Sequence, residues 1–219
     1  MEGFFFQARS NLAGAERSTP ESLWLRKVRV VIATQPLMPA RIHSDVFEAV
    51  TAALYSNLRL NIDYLNVSRK QAASYRVMPL GLAQKGPRRY LVRRFEGDDN
   101  ERSLAIHRIQ QAEASGLNFE STAQFSLACY DAEGRFGSGE GRKIQLSFCI
   151  TREAGQHLLE TPHCADQVVE KIAYGLQVVH ATVIDSGQLT WWLNGFGQDV
   201  WNIRNIRNIR KCPAASTNT

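Results

Sequence analysis

Between Leu58 and Tyr64 apolar and polar residues alternate: Leu58, Leu60, Ile62 and Tyr64 against Arg59, Asn61 and Asp63. A period of two predicts a strand with one buried face. Upstream, Val46, Phe47, Val50, Ala53, Leu54 and Leu58 recur at helical spacing after Ser44, which reads as an N-cap. More short strands are predicted at Tyr75–Ala83, Tyr90–Phe95, Arg102–His107 and Ile109–Ala114. Pro79 places the first of these near an edge or a bulge. Lys85-Gly86-Pro87 and Gly97-Asp98-Asp99-Asn100 read as turns between them. One helix followed by five close-spaced antiparallel strands predicts a small β-barrel over about residues 41–119.

The pattern repeats with different order further on. Ile144, Leu146, Phe148 and Ile150 alternate as a strand, and Arg152–Glu160 reads as a short helix. Gln167–Ala173 and Leu176–Ile184 read as strands about Gly175. Gln188–Asn194 reads as a helix carrying Trp191 and Trp192, and Val200–Ile203 as a last strand. Strand, helix, strand, strand, helix, strand is the ferredoxin-like split βαβ order. The expected organisation is a segment 1–40 without assigned structure, a barrel at 41–119, and a helix and glycine-rich linker at 120–143. A second domain at 144–212 and a disordered tail at 213–219 follow.

Some stretches stay outside this pattern. Trp24–Ala33 (WLRKVRVVIA) is apolar enough to order as a strand, with Pro36 and Pro39 breaking it. DAEGRFGSGEGRK (131–143) holds four glycines. It fails as a phosphate loop, because Arg142 rather than Lys follows the last glycine and no hydroxyl follows Lys143. A flexible linker is the expectation. The triplet repeat NIRNIRNIR (202–210) suits neither a strand nor an α-helix, and is read as a strand end running into a basic tail.

Charge changes the picture. The chain of 219 residues carries a net charge of +5, with an ordinary 44% hydrophobic and 21% charged residues. Residues 69–94 hold eight Lys or Arg and no acid, whereas residues 95–201 hold fifteen acids and seven basics. RRYLVRRF (88–95) carries four of those eight cations at the C-terminal end of the block. A concentration of this kind suits a phosphate-bearing or other polyanionic partner, or a solvated face. No apolar run is long enough for a membrane span and no signal-peptide pattern opens the chain, so a cytoplasmic location is expected. The four cysteines are scattered, with no CxxC, and reduced thiols are expected. His157, His163 and Cys164 lack metal-ligand spacing. No paired carboxylates and no Ser-His-Asp pattern emerge, so neither an enzyme nor a cofactor is expected.

LRLNIDYLN, SYRVMPLGLAQKGPRRYLVRRF and ERSLAIHRIQQAEASGLNF together resemble the WYL domain of bacterial transcription regulators. The resemblance rests on Tyr64, Arg76, Pro79-Leu80, Tyr90-Leu91, Arg102, Arg108-Ile109 and Phe119, with Arg89 where the pattern has tryptophan. IQLSFCITREAGQHLLE and SGQLTWWLNGFGQDVWNI resemble the C-terminal extension that commonly follows such a domain. The resemblance implies an α+β chain: an Sm-like, SH3-type five-stranded barrel with a leading helix, then the small split βαβ domain. It implies a ligand-sensing regulatory module and a homodimer. The winged helix-turn-helix usual in the family is not found in residues 1–40, so contact with DNA would need a domain outside this sequence.

The implied ligand is a nucleotide or single-stranded nucleic acid on a basic barrel face. Arginine offers a planar fork of donors for phosphate and stacks on bases, and tyrosines offer aromatic platforms. The candidate binding residues are Tyr64, Arg76, Tyr90, Arg102, His107 and Arg108. Each has a structural alternative: the tyrosines as core, Arg102 and Arg108 as partners of Asp98, Asp99 or Glu101. A stand-alone single-strand binder and a dimerisation module without ligand remain alternative functions.

Overall fold

The computed structural model describes residues 35, 37–67, 71–98, 100–120, 125–172 and 175–206. Trp24–Ala33, the NIR repeat beyond Ile206 and the tail after 212 lie outside them; the last strand, expected over Val200–Ile203, runs on to Ile206 in the second triplet. The chain divides into two compact units, with the boundary between Phe125 and Ser126.

The first unit opens with α1 (Ser44–Tyr55), which buries Val46, Val50 and Ala53 at i, i+4 and i+7. Ser44 is the first helical residue rather than the cap; extended His43 precedes it, and no side chain closes the first turn. Asn57 stops the helix in the left-handed region at φ 51°, a conformation that Asn tolerates better than most residues. Five strands follow: β1 (Leu58–Asn66), β2 (Gln71–Lys85), β3 (Arg88–Phe95), β4 (Arg102–Ala105) and β5 (Ile109–Asn118). All neighbours are antiparallel, in the order β4-β3-β2-β1-β5. Leu60, Ile62, Val77, Leu91, Leu104, Ile106 and Ile109 make the core with the helix.

β2 is long because it serves two partners. Its first half pairs with β1 and its second with β3, and the register shifts between Pro79 and Gly81. A proline cannot donate to the ladder, so the bulge falls where the sequence requires one. Arg102–His107 is not one strand. β4 ends at Ala105, and Ile106–Arg108 form a 3-10 turn that leads directly into β5. In a flat sheet β4 and β5 would stand roughly 19 Å apart, at about 4.8 Å per strand. Four Cα steps from Ala105 to Ile109 reach at most about 14 Å. The sheet is therefore rolled. Among the described residues no ladder joins β4 to β5, so the roll is open between them.

The second unit runs α2 (Leu127–Ala132), a 3-10 turn at Arg135–Gly137, β6 (Lys143–Thr151), α3 (Arg152–Glu160), β7 (Val168–Ile172), β8 (Leu176–Ile184), α4 (Gly187–Asn194) and β9 (Val200–Ile206). The strands are antiparallel in the order β7-β8-β6-β9. From β6 onward this is the connectivity of a split βαβ unit. Leu146, Phe148, Ile150, Leu158, Val179, Leu193 and Val200 form its core. The glycine-rich stretch packs into this unit as turns, unlike the flexible connection that its composition suggests. Gly134 takes φ +69°, and a Cβ there would meet Ile184 Cγ2 at 2.8 Å.

Candidate anion-binding site

β3 spells RRYLVRRF, and pleating sends alternate residues to opposite faces. Leu91 enters the core, and Arg89, Arg93 and Phe95 share its face. Arg89 sits 5.1 Å from the ring centroid of Phe47 on α1, so a cation covers the helix there. Arg93 is 3% exposed, with its guanidinium 3.5 Å from the centroid of Phe95. On the other face, Arg94 Nε donates to Glu101 Oε1 at 3.1 Å across the β3–β4 connection. The strand's four arginines therefore do not form one solvated row.

The six residues expected from the sequence fall into two groups. Arg76 lies on the outer face of the sheet, opposite Asn61; it donates to Asn61 Oδ1 at 3.3 Å and pairs with Glu96 at 3.4 Å. Glu96 also pairs with Arg59. Arg102 is exposed and lies 3.7 Å from Asp98. Asp98 accepts the Asn100 N–H, which, with Arg102 and Arg93, holds its carboxyl below the usual range. The acids that follow the basic block in sequence thus fold back onto it. The broad trough around Arg76, about 690 Å³, is also lined by Asp63 and Glu113, a poor seat for an anion.

The other four residues gather about the 3-10 turn. Tyr90 pairs with Ala105, the residue before the turn, and Tyr64 pairs with Ile109, the residue after it. His107 and Arg108 are the turn itself. Tyr64 is half-buried and packs on the core with Ile62, so it lies on the face of the sheet opposite Arg76. The structure does not bring those two together. It adds Arg88, absent from the expected set, whose charge acts on the imidazole of His107.

His107 is disfavoured as a cation, by burial first and then by Arg108 and Arg88, which holds its pKa below the usual histidine value. Its Nδ1 is buried without a hydrogen-bond partner. Among the described residues, Arg88 and Arg108 meet no carboxylate. Two arginines and an imidazole beside Tyr90 can receive phosphate oxygens and a base, whereas Tyr64 packs on the core face, opposite to the face that Tyr90 takes by alternation with Leu91. Arg88 escaped the sequence reading because nothing in RRYLVRRF says which of four arginines ends beside a turn eighteen residues on.

The second unit holds an aromatic cluster rather than a second site. Trp192 meets His163 edge-on at 4.4 Å between centroids, Phe196 at 4.7 Å and Phe148 at 6.0 Å. His157 stacks on Phe196 at 5.8 Å. Burial, then His157, lowers the His163 pKa. Its neighbour Trp191 is 84% exposed. Among the described residues no group of His, Cys, Asp and Glu is arranged to hold a metal ion, and no helix is long and apolar enough to cross a membrane.

Residues 45–114 match the family model of the WYL domain, which covers β1 to β4, most of α1 and the first half of β5. No curated protein matches the chain. Among solved structures, proteasome accessory factor B/C (PafBC) of Arthrobacter aurescens is similar at 20% identity with a TM-score of 0.38. The match covers 88% of this chain and 28% of that one, so the chain spans little more than a quarter of that protein's length.

Proposed function

We propose that this chain, whose residues 45–114 match the WYL-domain model, serves as a ligand-sensing module of a transcription regulator, with an anionic nucleotide or single-stranded nucleic acid as ligand. Arg88, His107 and Arg108 receive its phosphates, with Tyr90 as the neighbouring aromatic face; Tyr64, packed on the core, leaves the proposed contact set. One observation carries this reading. Arg76, Arg94 and Arg102 already pair with carboxylates and Arg93 is buried, while Arg88 and Arg108 meet no acid among the described residues. Arg76 and Arg102 therefore leave the proposed contact set.

The rolled sheet, with a 3-10 turn between its last two strands, supports an Sm-like, SH3-type barrel for the first unit. The split βαβ connectivity supports the family's C-terminal extension for the second. The reading assigns no catalytic residue and places the protein in the cytoplasm. It includes a homodimer formed through the second unit, because Trp191 presents a large apolar ring to solvent.

Fluorescence anisotropy with labelled decathymidylate tests the site. If about three phosphates are neutralised, log K should fall against log salt with a slope of about −2 on a single strand, or roughly fifteenfold between 50 and 200 mM. Competition by a mononucleotide with a shallower salt slope would mark a small-ligand sensor. If neither the strand nor any nucleotide binds, the proposed site is wrong.

A further inference from the structure

We infer that filling the turn site takes up a proton at His107, so that the site binds its anion more tightly as the medium acidifies. The inference rests on the anion-site reading above and adds a regulatory property to it. His107 lies in a three-residue turn whose flanking residues, Ala105 and Ile109, are fixed in the sheet opposite Tyr90 and Tyr64.

The charged groups that act on it are Arg108 on its own turn and Arg88 on β3. The other elements packed beside it contribute Tyr90 from β3 and Tyr64 from β1, and apolar Ala105 and Ile109 from β4 and β5. Burial first, and then the charges of Arg108 and Arg88, disfavour the cationic form of this imidazole in the empty site, and its Nδ1 is buried without a partner. A polyanion reverses the effect of the charges: its own charge offsets the two guanidinium groups, and its oxygens accept from the imidazolium Nε2–H, while Nδ1 stays buried. One proton passes from solvent to the ring and no other bond changes.

The sign follows from linkage. The ring's pKa is higher in the complex than in the free protein. Affinity therefore rises as pH falls through the complex value, and levels off below the free value. A rise of one pKa unit makes binding about tenfold tighter across that window.

Decathymidylate without a terminal phosphate is the appropriate probe, since phosphodiesters and thymine do not titrate between pH 5.5 and 7.5. Its dissociation constant is measured at both pH values at fixed ionic strength, for the unmodified chain and for His107→Gln. The expected result is about tenfold tighter binding at pH 5.5 for the unmodified chain and a nearly flat response for the variant. Equal pH dependence in both, or none in the unmodified chain, overturns the inference and leaves the anion site standing. No binding at either pH overturns the anion site itself, and this inference with it. Should His107→Gln not fold, NMR titration of the His107 ring in the unmodified chain decides. Its midpoint must rise when decathymidylate is added; an unmoved midpoint overturns the inference.

Discussion

The guanidinium of Arg93 lies 3.5 Å from the ring centroid of Phe95, two residues along the same face of β3. Phe95 also packs against Tyr75 at 5.1 Å, so the cation caps an aromatic pair at the edge of the core. A desolvated cation–π contact contributes about 2 kcal/mol. Phe95→Leu keeps an apolar side chain but removes the ring face. It should lower unfolding free energy in urea by about 2–3 kcal/mol. A loss below about 0.5 kcal/mol, the scale of an ordinary surface substitution, would mean that the stack contributes little.

Gly155, in the helix α3, faces β6 and β8 closely enough that a Cβ would stand 2.8 Å from Gln177 Oε1 and 2.9 Å from Ile150 Cγ2. Gln177 is 2% exposed and Ile150 is fully buried, so neither can retreat into solvent. Alanine gains about 1 kcal/mol of helix propensity over glycine, but overpacking costs about 1–3 kcal/mol. Gly155→Ala should therefore lower the thermal midpoint by a few degrees. A raised midpoint would show that α3 can lift off the sheet without cost.

His163 gives the second unit a pH dependence of its own. Its folded pKa lies below the unfolded value, through burial and then through His157. Stability from the neutral ring is therefore complete above the unfolded value, about 6.5, and declines as pH falls toward the folded value. The thermal midpoint should fall between pH 7 and pH 5, with near-ultraviolet circular dichroism reporting the tryptophan environment. His163→Gln should lessen the fall. An equal fall in the variant would assign the acid sensitivity to other groups.

Trp191 and Trp192 are adjacent, yet one is 84% exposed and the other packs among His163, Phe196 and Phe148. If Trp191 anchors a homodimer, sedimentation at micromolar concentration should show a dimer that Trp191→Ser converts to monomer. Trp192→Ser should instead lower stability; since Trp192 is half-buried against the core, the loss falls short of about 3–5 kcal/mol, the cost for a fully buried aromatic. A monomer for the unmodified chain contradicts the assembly.

The parts of the fold visible in sequence were those with local periodicity. The alternation in Leu58–Tyr64 and in Ile144–Ile150, and the Lys85-Gly86-Pro87 turn, are satisfied by neighbours along the chain. Arg102–His107 misleads because Leu104 and Ile106 alternate and are both buried. Ile106 is buried by a turn that carries the chain from one edge of the rolled sheet to the other, and nothing local encodes that crossing. Charge was the least legible. Glu96 pairs with both Arg59 and Arg76 from 37 and 20 residues away, so a block free of acids in sequence is not free of them in space. The site narrows for the same reason, from a whole basic face to Arg88, His107 and Arg108 beside Tyr90.

The central claim is that acid-free arginines at the 3-10 turn, rather than acid-paired ones on the same domain, hold the anion. Decathymidylate affinity measured in parallel for Arg88→Ala, Arg108→Ala, Arg76→Ala and Arg102→Ala tests it directly, with thermal midpoints as a control for folding. The account predicts that each of the first two weakens binding at least tenfold, a loss of about 1.4 kcal/mol or more, while the last two change it less than threefold and all four midpoints stay close to the unmodified chain's. Loss of binding in Arg76→Ala or Arg102→Ala, with Arg88→Ala and Arg108→Ala binding normally, would contradict it.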